Sequence, residues 1–261
     1  MKRHILVLLI GSVGSTAAMA LPCSQLPAAD ELKSVLVQVV NDPKGNGGVK
    51  APEWLTLVDN TGTVCAVVHS ETNVTPDTTT TVLAPVHRMF SAQKAGTANG
   101  FSRAGIGVST AQLFFGSQLD EIASGMDAGT NGTFSPYSGN PADWGTKNDP
   151  YIGKRVGTGS ALPGGLALFN KDRTKVGAIG VSGDFRCTDH VIAWKVRESL
   201  KDGAYTAANV PFGLSAARND AMMQDVDPAT GKSASGYGYY RCDSFNANPT
   251  NDNDGGAIEG N

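Results

Sequence analysis

Five residues recur at alternating spacings of three and four, so they share one face of a helix: His87, Phe90, Lys94, Thr97 and Phe101. Their types make a coherent set. An imidazole can ligate iron, aromatic rings can wall a flat macrocycle, and an ammonium can pair a carboxylate. A threonine hydroxyl adds a weak oxygen ligand. His87 is the metal-ligand candidate, and Lys94 the partner for a propionate. On spacing alone, however, the ordinary reading comes first. In it Phe90 and Phe101 are core, Lys94 buries its stem and keeps its head in water, and His87 is a solvated first-turn residue. His69 ends a strand and His190 opens a helix, and both read as structural or solvent-facing. Met89 is a soft ligand by type, but its neighbours at helical spacing, Val86 and Gln93, suggest packing.

Other chemistries fail on inspection. Gly180–Val181–Ser182–Gly183–Asp184 lacks the second glycine of a nucleophile elbow. Thr230–Gly231–Lys232–Ser233 ends like a phosphate-binding loop, but Val226 stands where its first glycine belongs. Asp225–Val226–Asp227 starts like a calcium loop, and Ala229 then interrupts the ligand pattern. The cysteines show no spacing for zinc or for covalent haem. No residue set demands turnover of a substrate.

The elements that must position the stripe are legible from punctuation. Leu162 to Leu200 reads as strand, turn, strand, glycine elbow and helix. Leu166, Leu168 and Phe169 lie between Gly164–Gly165 and Asn170–Lys171–Asp172, and Val176 to Val181 returns. Thr188 suits an N-cap, Asp189 the positive end of the helix dipole, and Gly203 a stop. Upstream, Pro27 to Val40 predicts a helix with Leu32, Val35, Leu36, Val39 and Val40 on one stripe. Glu53–Val58 and Thr63–His69 predict a hairpin. Pro85 can open the stripe-bearing helix, and Ser109 with Gln112 forms a capping-box pattern for a helix over 109–124. The expected core is Leu55, Leu57, Val67, Leu168, Ile179 and Val181, backed by Ile192, Val196 and Leu200. The segment 125–160 is a Gly-, Asn- and Pro-rich loop insertion, and 204–261 an extended C-terminal tail. Helix, hairpin, helices, hairpin, helix gives an α+β domain with an antiparallel sheet packed by helices.

Residues 1–20 read as a signal peptide, with Lys2 and Arg3 before an apolar run and Ala18–Met19–Ala20 as a small-residue cleavage site. The apolar run is too short for a membrane span, and no later stretch approaches one. The expected location is periplasmic or secreted, with the folded domain over 21–203. The net charge of −3 and the absence of a basic cluster argue against nucleic acid and anionic membranes as partners. Four cysteines in an exported chain favour two disulfides. Three pairings are open to them. Cys187–Cys242 with Cys23–Cys65 is preferred, because each bond would tie a terminal segment to the folded middle.

Three blocks also carry a resemblance. Pro163–Gly164–Gly165, Val176–Gly177–Ala178–Ile179–Gly180–Val181–Ser182–Gly183 and Asp189 with Ile192–Ala193 resemble the C-terminal signature of the GlcG/HbpS-like, haem-degrading or haem-binding family. Ala92–Gln93–Lys94–Ala95–Gly96–Thr97–Ala98 resembles that family's K-A-x-T-A helix, and Val58–Asp59–Asn60–Thr61–Gly62 its V-D-x-x-G hairpin. The resemblance implies a five-stranded, profilin-like sheet flanked by helices. It implies haem as the ligand, bound for acquisition, buffering or sensing, or haem degradation. It brings forward the stripe as a pocket wall, with the Gly164–Gly165 backbone to receive the flat face of a tetrapyrrole. A homo-oligomer, dimer or higher, is expected with it. This chain departs from the family at Ala167, where proline is common, and at His69–Ser70–Glu71, where an arginine–methionine pair is usual. The alternatives are another flat cofactor, a flavin or corrinoid, or a ligand-free structural or interaction module of an exported assembly.

Overall fold

The computed structural model describes residues 22–75, 83–118, 134–214, 220–242 and 256–259. The expected signal peptide, the end of the 109–124 helix, the first part of the 125–160 loop and the last part of the tail from Asn246 lie outside these residues, apart from 256–259. No helix among the described residues is long and apolar enough to cross a membrane.

Helix α1 spans Ala29–Val40, with Leu32, Leu36 and Val39 buried on one stripe and Asp30 and Glu31 in the favourable first turn. Asn41 closes it by donating from Nδ2 to Val37 O at 2.8 Å. Strands β1, Trp54–Asp59, and β2, Val64–His69, form the expected hairpin. Its turn is held by Asp59 Oδ1, which accepts from Thr61 N, Thr61 Oγ1 and Thr63 N. Helix α2 spans Pro85–Phe101 with proline in the first turn. Helix α3 covers Thr110–Gln118. The capping box is reciprocal: Ser109 N donates to Gln112 Oε1 at 3.3 Å and Gln112 N to Ser109 Oγ at 3.4 Å. Strands β3, Gly165–Phe169, and β4, Lys175–Ser182, lead into helix α4, Arg186–Ser199.

The sheet is antiparallel with order β2-β1-β4-β3. It has four strands among the described residues, not the five the resemblance implies. The loop segment 153–156 runs along the free edge of β2 instead, through Val64 N to Lys154 O, Gly153 N to Val64 O and Val156 N to Gly62 O. This contact matures only to a single bridge, Thr63 with Arg155. A further parallel pair, β5 Met222–Met223 and β6 Ile258–Glu259, stands apart from the main sheet.

One sheet face carries Leu55, Leu57, Ala66, Val68, Leu166, Leu168, Ile179 and Val181 under α1 and α4, with Ile192, Val196 and Leu200 as expected. The other face carries Trp54, Val58, Val64 and Ala178 under Ala92, Ala95 and Ala98 of α2. Val67 belongs to this second face, against expectation. It pairs with Thr56, and an irregularity between Leu57 and Val58 fixes that register. Thr188 is also not the cap of α4. Phe185 holds that position, because Asp184 accepts from Phe185 N at 2.7 Å and Asp189 accepts from Gly183 N and Asp184 N.

The tail is part of the main core and not an appendage. Ala221, Met222, Tyr239, Cys242, Ala257 and Ile258 join the α1–α4 cluster. Arg197 Nη1 meets Asp220 Oδ2 at 2.5 Å, with both side chains fully buried. The disulfides are Cys23–Cys65 and Cys187–Cys242, the preferred pairing, and both tie a terminal segment inward. Thiol titration of the denatured, unreduced protein should therefore find no free thiol; four would overturn the pairing. Truncating the fully buried Ile179 to alanine should cost ~2–5 kcal/mol in urea denaturation. A loss under about 0.5 kcal/mol would mean β4 is misplaced.

Candidate functional site

The stripe of α2 does not stay together as a wall. Nearly all of this helix is buried, from Arg88 and Ser91 through Asn99, because the sheet covers one side and the 134–160 segment another. Lys94 turns inward: its Nζ donates to Asp189 Oδ2 at 2.6 Å and to Val181 O at 2.8 Å. Thr97 is also interior. Its hydroxyl donates to Gln93 O at 2.8 Å and accepts from Gly159 N and Ser160 N, pinning the loop to the helix. Phe101 packs with Val108, Leu113 and Ala161 in a satellite cluster. Only His87 and Phe90, both half-buried, share the first part of α2.

The glycines explain why Lys94 sits so deep. A Cβ at Gly180 would strike Ser91 O and Ala95 N, and one at Gly165 would strike Lys94 O. The helix backbone therefore lies directly on β3 and β4. In this arrangement Gly164 and Gly165 serve helix-on-sheet packing, with Lys94 Nζ beside Gly164. Lys94, expected as a propionate partner, and Gly164–Gly165, expected as a flat-face platform, are here engaged by the chain itself.

What gathers instead is a polar cluster where β1 begins and β4 ends. His87 Nδ1 lies 3.0 Å from Ser182 Oγ, and its ring stands edge-on to Phe90 with centroids 6.3 Å apart. Burial lowers its pKa, Lys94 lowers it further, and Asp184 opposes them, so the imidazole is neutral at pH 7. In the tautomer that carries the Nδ1 proton, the ring donates to Ser182, and Nε2 presents a lone pair. No described residue pairs with that Nε2. Glu53 is the other notable member. It is fully buried, and among the described residues neither carboxylate oxygen has a partner within hydrogen-bond geometry. Burial, then the neighbouring Asp189, push its pKa well above the usual carboxylate range, and Lys94 pulls the other way. Burial likewise raises Asp189, opposed by Lys94 and by the N–H groups of Asp184 and Gly183.

No family model and no curated protein matches this chain. The likeness to GlcG/HbpS-like proteins therefore rests on the sequence blocks alone.

The remaining candidate ligands are structural. His69 stacks edge-on to Trp54 at 5.2 Å, and burial pushes it down to about 4. His190 is fully buried with Nε2 3.2 Å from Ala257 O, and burial pushes it down to about 3. Cys23, Cys65 and Asp59 bring ligand atoms together, but the cysteines are joined as a disulfide and Asp59 Oδ1 already takes three donors. Sequence reasoning missed Glu53 and Ser182, whose meaning depends on strand-end neighbours. It also missed Arg88, which lies between Trp144 and Tyr151 at 4.9 and 3.8 Å and bonds Asp149 through Nε and Nη2. The aromatics Trp144 and Tyr151 beside Asp149 in an otherwise polar loop were its available signal.

Glu53 gives a pH prediction. Its folded pKa lies above the unfolded value near 4.5, so the native state holds a proton the unfolded chain has released, and stability falls as pH rises from there. Glu53→Gln removes this slope. The stability of the variant relative to wild type should improve by up to about 1.4 kcal/mol per pH unit between pH 5 and the folded pKa. A gap that stays flat with pH would contradict the buried, protonated assignment.

Proposed function

We propose that this chain is an exported haem-binding protein, with His87 as iron ligand, used for haem acquisition, buffering or sensing. The observation that carries the reading is the state of His87. It is a neutral imidazole, fixed through one nitrogen by Ser182 Oγ, with the other nitrogen unclaimed by any described residue, beside the ring of Phe90. Anchoring the second nitrogen is how proteins set the tautomer and aim of a metal-bound histidine. Two disulfides and the absence of a membrane-spanning helix among the described residues are compatible with export to an oxidising compartment.

A fit test on the donor set is mixed. His87 suits an axial ligand, and Phe90 suits a macrocycle face. Lys94 and Thr97 do not suit propionate or iron, since both are inside and bonded. The site is therefore an edge site at the start of α2, smaller than the full stripe, and haem itself would supply the redox-active iron. Ser182 would orient the ring, and burial would keep it unprotonated. A corrinoid would use the same imidazole, whereas a flavin would not need it. The second reading, a ligand-free interaction module, is favoured by the same inward turn of Lys94, Thr97 and Gly165.

Haemin titration decides among them. The wild type should give a saturable Soret shift that His87→Ala abolishes or moves, while Ser182→Ala should weaken affinity about 10–100-fold. Because the folded pKa of His87 lies below 6.5, release by acid should begin below that pH. A wild type that gives no Soret shift supports the module; an unchanged spectrum in His87→Ala removes His87 as ligand.

A further inference from the structure

A second site, independent of the haem reading, contains none of the residues gathered at His87. A cleft of about 190 Å³ opens between the end of α1 and the ends of the first hairpin, lined by Asn41, Asp42, Lys50, Pro52, Ser70 and Glu71 among others. An apolar cavity of about 150 Å³ admits benzene, so the space suits a molecule of the size of a small amino acid. Its wall is charged on both sides. Neither the Lys50 ammonium nor the Glu71 carboxylate has a partner among the described residues. Asp42 is already engaged by Lys195 at 3.0 Å and by Lys44 N, interactions that hold its pKa below the usual carboxylate range.

Two further observations mark the cleft as built. Lys50 adopts a left-handed backbone, φ +57°, which a residue with a Cβ adopts only at a cost. The conformation is enforced from both sides, since Asp184 accepts from Val49 N at 2.9 Å and from Ala51 N at 3.0 Å. The buried Ser70 hydroxyl accepts from Glu53 N at 2.9 Å, and no described acceptor takes its own proton. Lys50, on a backbone held from both sides, the Glu71 carboxylate and the Ser70 hydroxyl thus line one small cavity between two prolines, Pro43 and Pro52.

We infer that this cleft binds a small dipolar molecule of the amino-acid class, its carboxylate on Lys50 and Ser70 and its ammonium on Glu71. Charge-assisted hydrogen bonds to both ends would make recognition depend on both charges being present. Neither end alone would suffice in so open a cleft, because exposed single ion pairs contribute little.

The test is titration calorimetry of the full chain with L-serine and L-glutamine, and with the N-acetyl amide of each, which keeps the side chain and loses both charges. Lys50→Gly is the first variant, since glycine takes a left-handed φ freely and removes the ammonium without new strain. Glu71→Gln is the second. Saturable binding of at least one free amino acid, no binding of its amide, and a loss of about tenfold or more in each variant is the expected result. Haemin binding should be unchanged in both variants, which separates this site from the one at His87. Absence of binding by both free amino acids, equal binding of the amides, or full affinity in both variants overturns the inference.

Discussion

The structure depends on one buried ion pair. Lys94 of α2 and Asp189 of α4 meet at 2.6 Å across the end of β4, with both side chains almost wholly removed from water. Such a pair stabilises little by itself, since desolvating the charges offsets their attraction, but losing one partner strands the other at a cost of about 3–5 kcal/mol. The remaining valences are therefore telling. Lys94 also donates to Val181 O, and Asp189 also accepts from Gly183 N and Asp184 N. The pair thus fixes helix α2, the end of β4 and the start of α4 to one another at a single point. It can exist only because Gly165 and Gly180 let the helix backbone down onto the sheet.

The same device recurs twice. Arg88 with Asp149 holds the 134–160 segment against α2, and Arg197 with Asp220 holds the tail against α4. In each case a buried cation on a helix meets one aspartate from a segment without regular structure of its own. Arg88 donates to Pro136 O and Ser138 O as well, and its guanidinium lies over two aromatic rings. An irregular segment cannot be registered by apolar periodicity, because it has none. A directional buried cation does it instead, through four hydrogen bonds at Arg88 and through the single bond to Asp220 at Arg197.

This division explains what could be read from the residues alone. Elements with a period or a punctuated turn were legible: the two hairpins, α1 and the capping box of α3, whereas Gly203 closes the short turn Leu200–Asp202 that follows α4 and not α4 itself. The disulfide pairing was legible because each bond joins an end to the middle. Val67 was misread because a register irregularity, invisible in a run of valines, decides which face it occupies. Thr188 was misread because Asp184 and Asp189 tie down the N–H groups of 183–185, so that the helix begins after Phe185 and Thr188 lies inside its first turn. Among the described residues the sheet has no fifth strand, and a loop segment, 153–156, covers the edge of β2 without forming a ladder. For the stripe of α2 the spacing was right and the inference incomplete, since one face of a helix says nothing about whether that face meets solvent, a ligand or a sheet.

That last point bears on where function resides. The blocks that resemble the GlcG/HbpS-like family meet at the Lys94–Asp189 junction: the double glycine, the glycines of β4, the lysine of α2 and the aspartate of α4. Their geometry is accounted for by close packing around a buried charge. A motif of this kind specifies a fold, and its ligand must be read from what surrounds it. Of the residues that depart from the family pattern, Ala167 is buried within β3, and His69–Ser70–Glu71 lie at that periphery. His69 sits under Trp54, Ser70 bonds Glu53, and Glu71 lines the cleft beside Lys50. On the other side of the same strand ends stand His87 and Ser182. Glu53 meets Ser70 through both its backbone N–H and C=O, and burial holds its carboxyl well above the usual carboxylate range.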